Sequence, residues 1–96
     1  MIIYVIGPKE GPQKIGITKD LKARLRNIQT GHPSKLFVHH TEEVETNMVR
    51  PLEKKIHAEL NYKKLKGEWF DLTPDEAKEF VIFFNIRYGN DPLIRC

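Results

Sequence analysis

Apolar and polar positions follow two different rhythms along this chain. Ile2-Ile3-Tyr4-Val5-Ile6 is a β-branched and aromatic run, and Lys14-Ile15-Gly16-Ile17-Thr18 is a second short apolar segment. Both read as strands. Residues 7–12 between them carry two Gly-Pro pairs and form a turn short enough for an antiparallel hairpin. Gly16 weakens its strand, which marks either a bulge or a place where another group comes close to the backbone. After Asp20, an N-cap residue, Leu21, Leu25 and Ile28 recur at helical spacing, with Lys22, Arg24 and Arg26 off that stripe. Gly31 is expected to close the helix as a left-handed cap, with Pro33 just beyond.

Residues 35–40 read as a third strand. A polar stretch over 41–45 then leads into a longer helix ending near Asn61, with Leu52, Ile56 and Leu60 as its apolar stripe. Pro51 either lies in the first turn of that helix or kinks it. Residues 68–72 form a short strand-like run. Thr73-Pro74-Asp75-Glu76 is a capping box with proline at the first helical position. The helix it opens turns Ala77, Phe80, Val81 and Phe84 inward and ends near residues 88–90. The predicted order is β-β-α-β-α-β-α, an α+β class with helices flanking a small mixed sheet.

Composition narrows the function classes. Ninety-six residues fit one domain. A net charge of +3 suits an anionic partner without demanding one. One cysteine, Cys96, excludes an internal disulfide framework and a thiolate-based zinc site, and suggests a reducing, cytoplasmic compartment. The first apolar run is too short, and too soon interrupted, for a signal peptide or a membrane span.

Candidate chemistry follows from the first three elements. They carry a phenol (Tyr4), an amine (Lys14) and a guanidinium (Arg24), which converge only if the strands pair and the helix crosses beside them. Joined by a carboxylate, such a set suits cleavage of a phosphodiester, and Glu53 is the carboxylate nominated. Each residue also has an ordinary reading: Tyr4 as a packed strand aromatic, Lys14 as an edge-strand charge, Arg24 as a solvated helix charge, and Glu53 with His57 as an i,i+4 pair. His39 and His40 are neighbours in a strand and point to opposite faces, so without a bulge they cannot chelate one ion. Trp69-Phe70 would stack a base or sit in the core.

Ile2-Ile3-Tyr4, Lys14-Ile15-Gly16, the helix with Arg24, Gln29-Thr30-Gly31, Glu53, His57 and Gly67-Glu68-Trp69-Phe70 together resemble the GIY-YIG nuclease family. The match is to a short phage and bacterial branch with Lys-Ile-Gly as its second motif and Gly-Glu-Trp-Phe later. It covers about residues 1–72, and the last helix lies beyond it. The resemblance implies a small GIY-YIG-like domain that hydrolyses DNA. Tyr4 would act as general base or position the attacking water. Lys14 would favour a phenolate on Tyr4, and Arg24 would hold the phosphate. Glu53 would ligate one Mg²⁺ or Mn²⁺. His57 would orient a water or contact DNA. The position four after Arg24 is Ile28, where many family members have histidine, and Asn61 is the nearest match to a late family asparagine.

Lys19, Arg26, Lys54, Lys63 and Lys64 are candidate nucleic-acid contacts, either a phosphate-contacting rim or a solvated basic face. The leading expectation is a metal-dependent endonuclease, as a monomer or homodimer, with DNA and no membrane as partner. A binding module that keeps the fold without the chemistry, and a protein–protein adaptor, are the alternatives.

Overall fold

The computed structural model describes residues 1–88. The elements are β1 (Ile2–Gly7), β2 (Gln13–Thr18), α1 (Leu21–Thr30), β3 (Phe37–Glu43), α2 (Thr46–Glu59), a single 3₁₀ turn (Asn61–Lys63), β4 (Lys64–Lys66), β5 (Trp69–Phe70) and α3 (Pro74–Tyr88). The five strands form one sheet in the order β3-β1-β2-β5-β4. The α+β class is as expected, and every strand pairing is antiparallel rather than of mixed sense.

Strand alternation sorts the side chains onto two faces. Ile3, Val5, Ile15 and Phe70 enter the main core with Leu52 and Ile56 of α2 and Ala77, Val81 and Phe84 of α3. Tyr4 and Ile6 lie on the opposite face with Leu36, where Leu21, Leu25, Ile28 and Trp69 pack against them. The helix α1 therefore covers one face of the sheet, and α2 with α3 covers the other. The Tyr4 face is the thinner layer, closed by half-buried residues, and this is where polar chemistry is reachable.

Several local expectations need correction. β3 runs on through Thr41-Glu42-Glu43, because these polar residues pair with Tyr4, Ile3 and Ile2 of β1. The β1–β3 register slips between Val5 and Ile6, with Val5 opposite His40 and Ile6 opposite Val38, so His39 is the extra residue of a bulge. His39 Nε2 lies 3.1 and 3.0 Å from the carbonyls of Gly7 and Pro8, and His40 Nε2 lies 2.9 Å from Glu42 Oε2. Gly31 caps α1 at φ −94°, outside the left-handed region. Pro51 is the sixth residue of α2, past the first turn, and leaves the Asn47 carbonyl without its i+4 donor.

The capping box of α3 is formed. The Thr73 amide donates to Glu76 Oε1 at 2.9 Å, and the Glu76 amide donates to Thr73 Oγ1 at 3.1 Å. The expected end of this helix at residues 89–90 lies outside the described residues. No helix among the described residues is long and apolar enough to cross a membrane.

Candidate functional site

The register of the first hairpin builds the site. Tyr4 stands opposite Gly16, and its ring lies across the glycine. A Cβ on Gly16 would overlap the Tyr4 hydroxyl and fall 2.7 Å from Glu68 Oε1. The close approach anticipated at Gly16 is therefore made by two site residues at once. On the same face, α1 brings Arg24 over the phenol, and its Nε–H donates to the Tyr4 hydroxyl oxygen at 3.0 Å. The Asp20 cap fixes the start of that helix: Asp20 Oδ1 accepts from the Ala23 amide at 3.1 Å.

Glu68 joins this cluster from an element that sequence reading missed. Lys64-Leu65-Lys66 forms β4 and pairs with β5 across a two-residue loop made of Gly67 and Glu68. Gly67 adopts φ +58°, the left-handed value such tight hairpins call for and glycine supplies cheaply. The next three residues then divide their tasks. Glu68 reaches the Gly16 backbone, Trp69 faces α1, and Phe70 enters the main core. Glu68 Oε1 lies 3.6 Å from Lys14 Nζ and 3.5 Å from Arg24 Nη2. These are loose ion pairs, and that oxygen is buried with no hydrogen-bond donor among the described residues.

Glu53 approaches from α2 on the far face. Beyond Lys14, β2 has no ladder partner on the β5 side, apart from the Ile15 amide donating to the Glu68 carbonyl at 3.1 Å. There α2 comes to the strand edge: His57 Nε2–H donates to the Ile15 carbonyl at 2.9 Å, and its ring stands edge-on to Phe70 at 4.9 Å. His57 thus anchors α2 to β2 through Nε2. Glu53, one turn earlier, is half-buried, and its Oε2 is also without a hydrogen-bond partner among the described residues.

The electrostatics reverse one expectation. Burial raises the pKa of Tyr4, outweighing the Arg24 hydrogen bond that lowers it, and the negative charges of Glu68 and Glu53 push it further up. Lys14 does not hold Tyr4 as a phenolate, because its ammonium is turned to Glu68 and to the Trp69 ring, 5.6 Å from the centroid. The phenol is therefore neutral near pH 7. Burial also raises the pKa of Glu53, with the Glu68 carboxylate adding to it and His57 and Arg50 opposing.

Tyr4, Lys14 and Arg24 come together as anticipated, with Glu53 within electrostatic reach. Glu68 was legible only as part of the Gly-Glu-Trp-Phe motif. Lys14, Arg24, Asn27, His32 and Trp69 line a cleft of about 290 Å³ beside the cluster. Lys19, Arg26, Lys54 and Lys64 are exposed, and none of them lines this cleft. Lys63 is half-buried and acts on Glu76 at the start of α3. Ile28 lines the cleft too, and so does His32 one turn later.

Among the described residues, no group of three or more His, Cys, Asp and Glu side chains is gathered to hold a metal. Glu53 and Glu68 each carry a buried carboxylate oxygen without a hydrogen-bond partner among the described residues, and the Glu68 charge reaches Glu53, so the two offer hard oxygens of the kind that fit an ion retaining most of its waters, as Mg²⁺ does. No curated protein and no solved structure matches the chain. A family model does: residues 1–85 match the T5orf172 domain, and the chain belongs to that family.

Proposed function

We propose that this protein is a metal-dependent endonuclease that hydrolyses DNA phosphodiester bonds. The observation that carries the reading is the convergence of Tyr4, Arg24, Lys14 and Glu68 over Gly16. Membership of the T5orf172 family, a phage-associated domain related to GIY-YIG and HNH-like nucleases, supports it.

Each group has a task set by its surroundings. Arg24 and Lys14 are cations at one cleft wall and hold a phosphate, Arg24 through the nitrogens that Tyr4 leaves free. They also offset charge that builds on the phosphoryl oxygens in the transition state. Tyr4 accepts the Arg24 Nε–H, so its own O–H remains to orient the attacking water. A neutral phenol makes Tyr4 a positioner rather than a resident base, so the proton that the water loses on attack passes to solvent, which also supplies the proton taken up by the leaving oxygen. Glu53 and Glu68 would hold Mg²⁺ or Mn²⁺, and such an ion would supply Lewis-acid stabilisation of charge on the phosphate. A phosphate on Arg24 and Lys14 would compete with the loose contacts these cations make to Glu68.

The test is conversion of supercoiled plasmid to nicked circles in Mg²⁺ or Mn²⁺. Cleavage by the wild type, lost in a folded Glu53→Ala variant, supports the proposal. Salt-sensitive DNA binding without cleavage at any metal concentration would instead make the protein a binding module.

A further inference from the structure

Beside the cluster, the rings of His32 and Trp69 stack with centroids 5.2 Å apart and planes 29° apart. Both are half-buried, and together they are the shared wall of two clefts. The first, of about 290 Å³, contains Lys14 and Arg24. The second, of about 380 Å³, lies on the other side and is lined by Pro8, Glu10, Pro12, Leu65 and Lys66. The two clefts thus meet at an aromatic ridge, with the Lys14 and Arg24 cations on one side and an apolar floor flanked by Lys66 and Glu10 on the other.

The ridge is held in place by its own elements. His32 Nδ1 accepts from the Ser34 amide at 3.1 Å, and its backbone amide donates to the Gln29 carbonyl at 3.1 Å. Trp69 is fixed in β5 opposite Lys14 and Lys66. The Lys14 ammonium, 5.6 Å from the Trp69 centroid, joins the ridge to the phosphate site directly. A pre-set aromatic surface next to a cationic groove is the arrangement by which proteins take single-stranded nucleic acid, because every base offers a π-face. In a duplex, base faces are covered by their neighbours and cannot reach such a ridge.

We propose that the His32–Trp69 pair is a stacking platform for one unpaired base of a DNA strand whose neighbouring phosphate lies on Arg24 and Lys14. This rests on the phosphodiesterase reading of the cluster. It adds a preference for single-stranded, frayed or flapped DNA over continuous duplex.

Trp69 is the only tryptophan in the chain, so its fluorescence reports the platform directly. A (dT)₁₂ strand and a mixed-sequence duplex of twelve base pairs are titrated into the full chain in EDTA, where cleavage is off. The single strand should quench Trp69 saturably and bind more tightly than the duplex. By anisotropy of labelled (dT)₁₂, Trp69→Leu should weaken binding about 5- to 150-fold, the range seen when a base-stacking aromatic is lost. Trp69→Phe, which keeps a ring in the same strand position, should recover most of it. Equal affinity for both DNAs, or single-strand binding that leaves Trp69 unquenched, would overturn the platform. Plasmid nicking by the same preparation in Mg²⁺ separates the two claims. Nicking without quenching removes the platform and keeps the nuclease; quenching without nicking keeps the platform and removes the nuclease.

Discussion

Adding one methyl group at Gly16 is the sharpest way to disturb this site without touching a charge. The backbone there lies outside the left-handed region, so alanine brings no φ penalty. A Gly→Ala change at a compatible position stabilises by about 0.4–1 kcal/mol through the unfolded chain. Against that, the new Cβ would sit 2.7 Å from both Tyr4 Cζ and Glu68 Oε1, well inside van der Waals contact. Overpacking of this kind costs about 1–3 kcal/mol. Tyr4 is fully buried in a tight strand pair, so the ring has little room to yield. The difference is a net loss of about 1.5 kcal/mol, or a fall in Tm of roughly 6–12 °C for a domain of this size. Activity should fall further than stability, since a misplacement of about 1 Å at a reacting centre costs about 10²-fold. Thermal unfolding followed by circular dichroism, with plasmid nicking on the same preparation, measures both. A Gly16→Ala protein with an unchanged or higher Tm and full nicking would refute the close packing of Tyr4 and Glu68 over this backbone.

Other perturbations follow from the same geometry. Folding raises the pKa of Glu53, so the folded chain keeps a proton that the unfolded chain releases above the ordinary value of 4.5. Its contribution to stability is therefore greatest at low pH and is lost as pH rises through the raised value. Glu53→Gln should be more stable than wild type at pH 8 by urea unfolding, with the advantage vanishing near pH 4. Mg²⁺ at ten times its Kd should stabilise the wild type by about 1.4 kcal/mol, roughly 6–11 °C in Tm, and should not move Glu53→Gln. Arg24→Lys keeps the charge but removes the Nε–H that binds Tyr4 and the planar fork, so kcat should fall about 10²–10³-fold in a single-turnover cleavage assay, with a normal circular dichroism spectrum.

The elements whose signals are local were readable from the chain. Apolar runs placed β1 and β2, the Asp20 cap placed α1, and the Thr73–Glu76 box placed α3. β4 was hidden because Lys64-Leu65-Lys66 has a single apolar residue, itself exposed, and is a strand only through pairing with β5. The polar end of β3 was hidden for the same reason. Of the site, the residue types suggested that Tyr4, Lys14 and Arg24 could converge, and the family resemblance supplied the roles expected of them and of Glu53. Glu68 was visible only within the Gly-Glu-Trp-Phe motif and not as a site residue, because its position depends on the hairpin that β4 makes possible. The direction of the Tyr4 shift was also out of reach: spacing shows that a cation is near, but not how deeply the phenol is buried nor that Glu68 takes up the amine.

The most direct test of the central claim is single-turnover cleavage of an end-labelled DNA strand in Mn²⁺ by the wild type and by Tyr4→Phe. That substitution removes one oxygen from the middle of the cluster and leaves the ring in its packing. The account predicts cleavage by the wild type and a loss of at least about 10²-fold in the variant, with DNA affinity kept. Equal cleavage rates for the two proteins would contradict it.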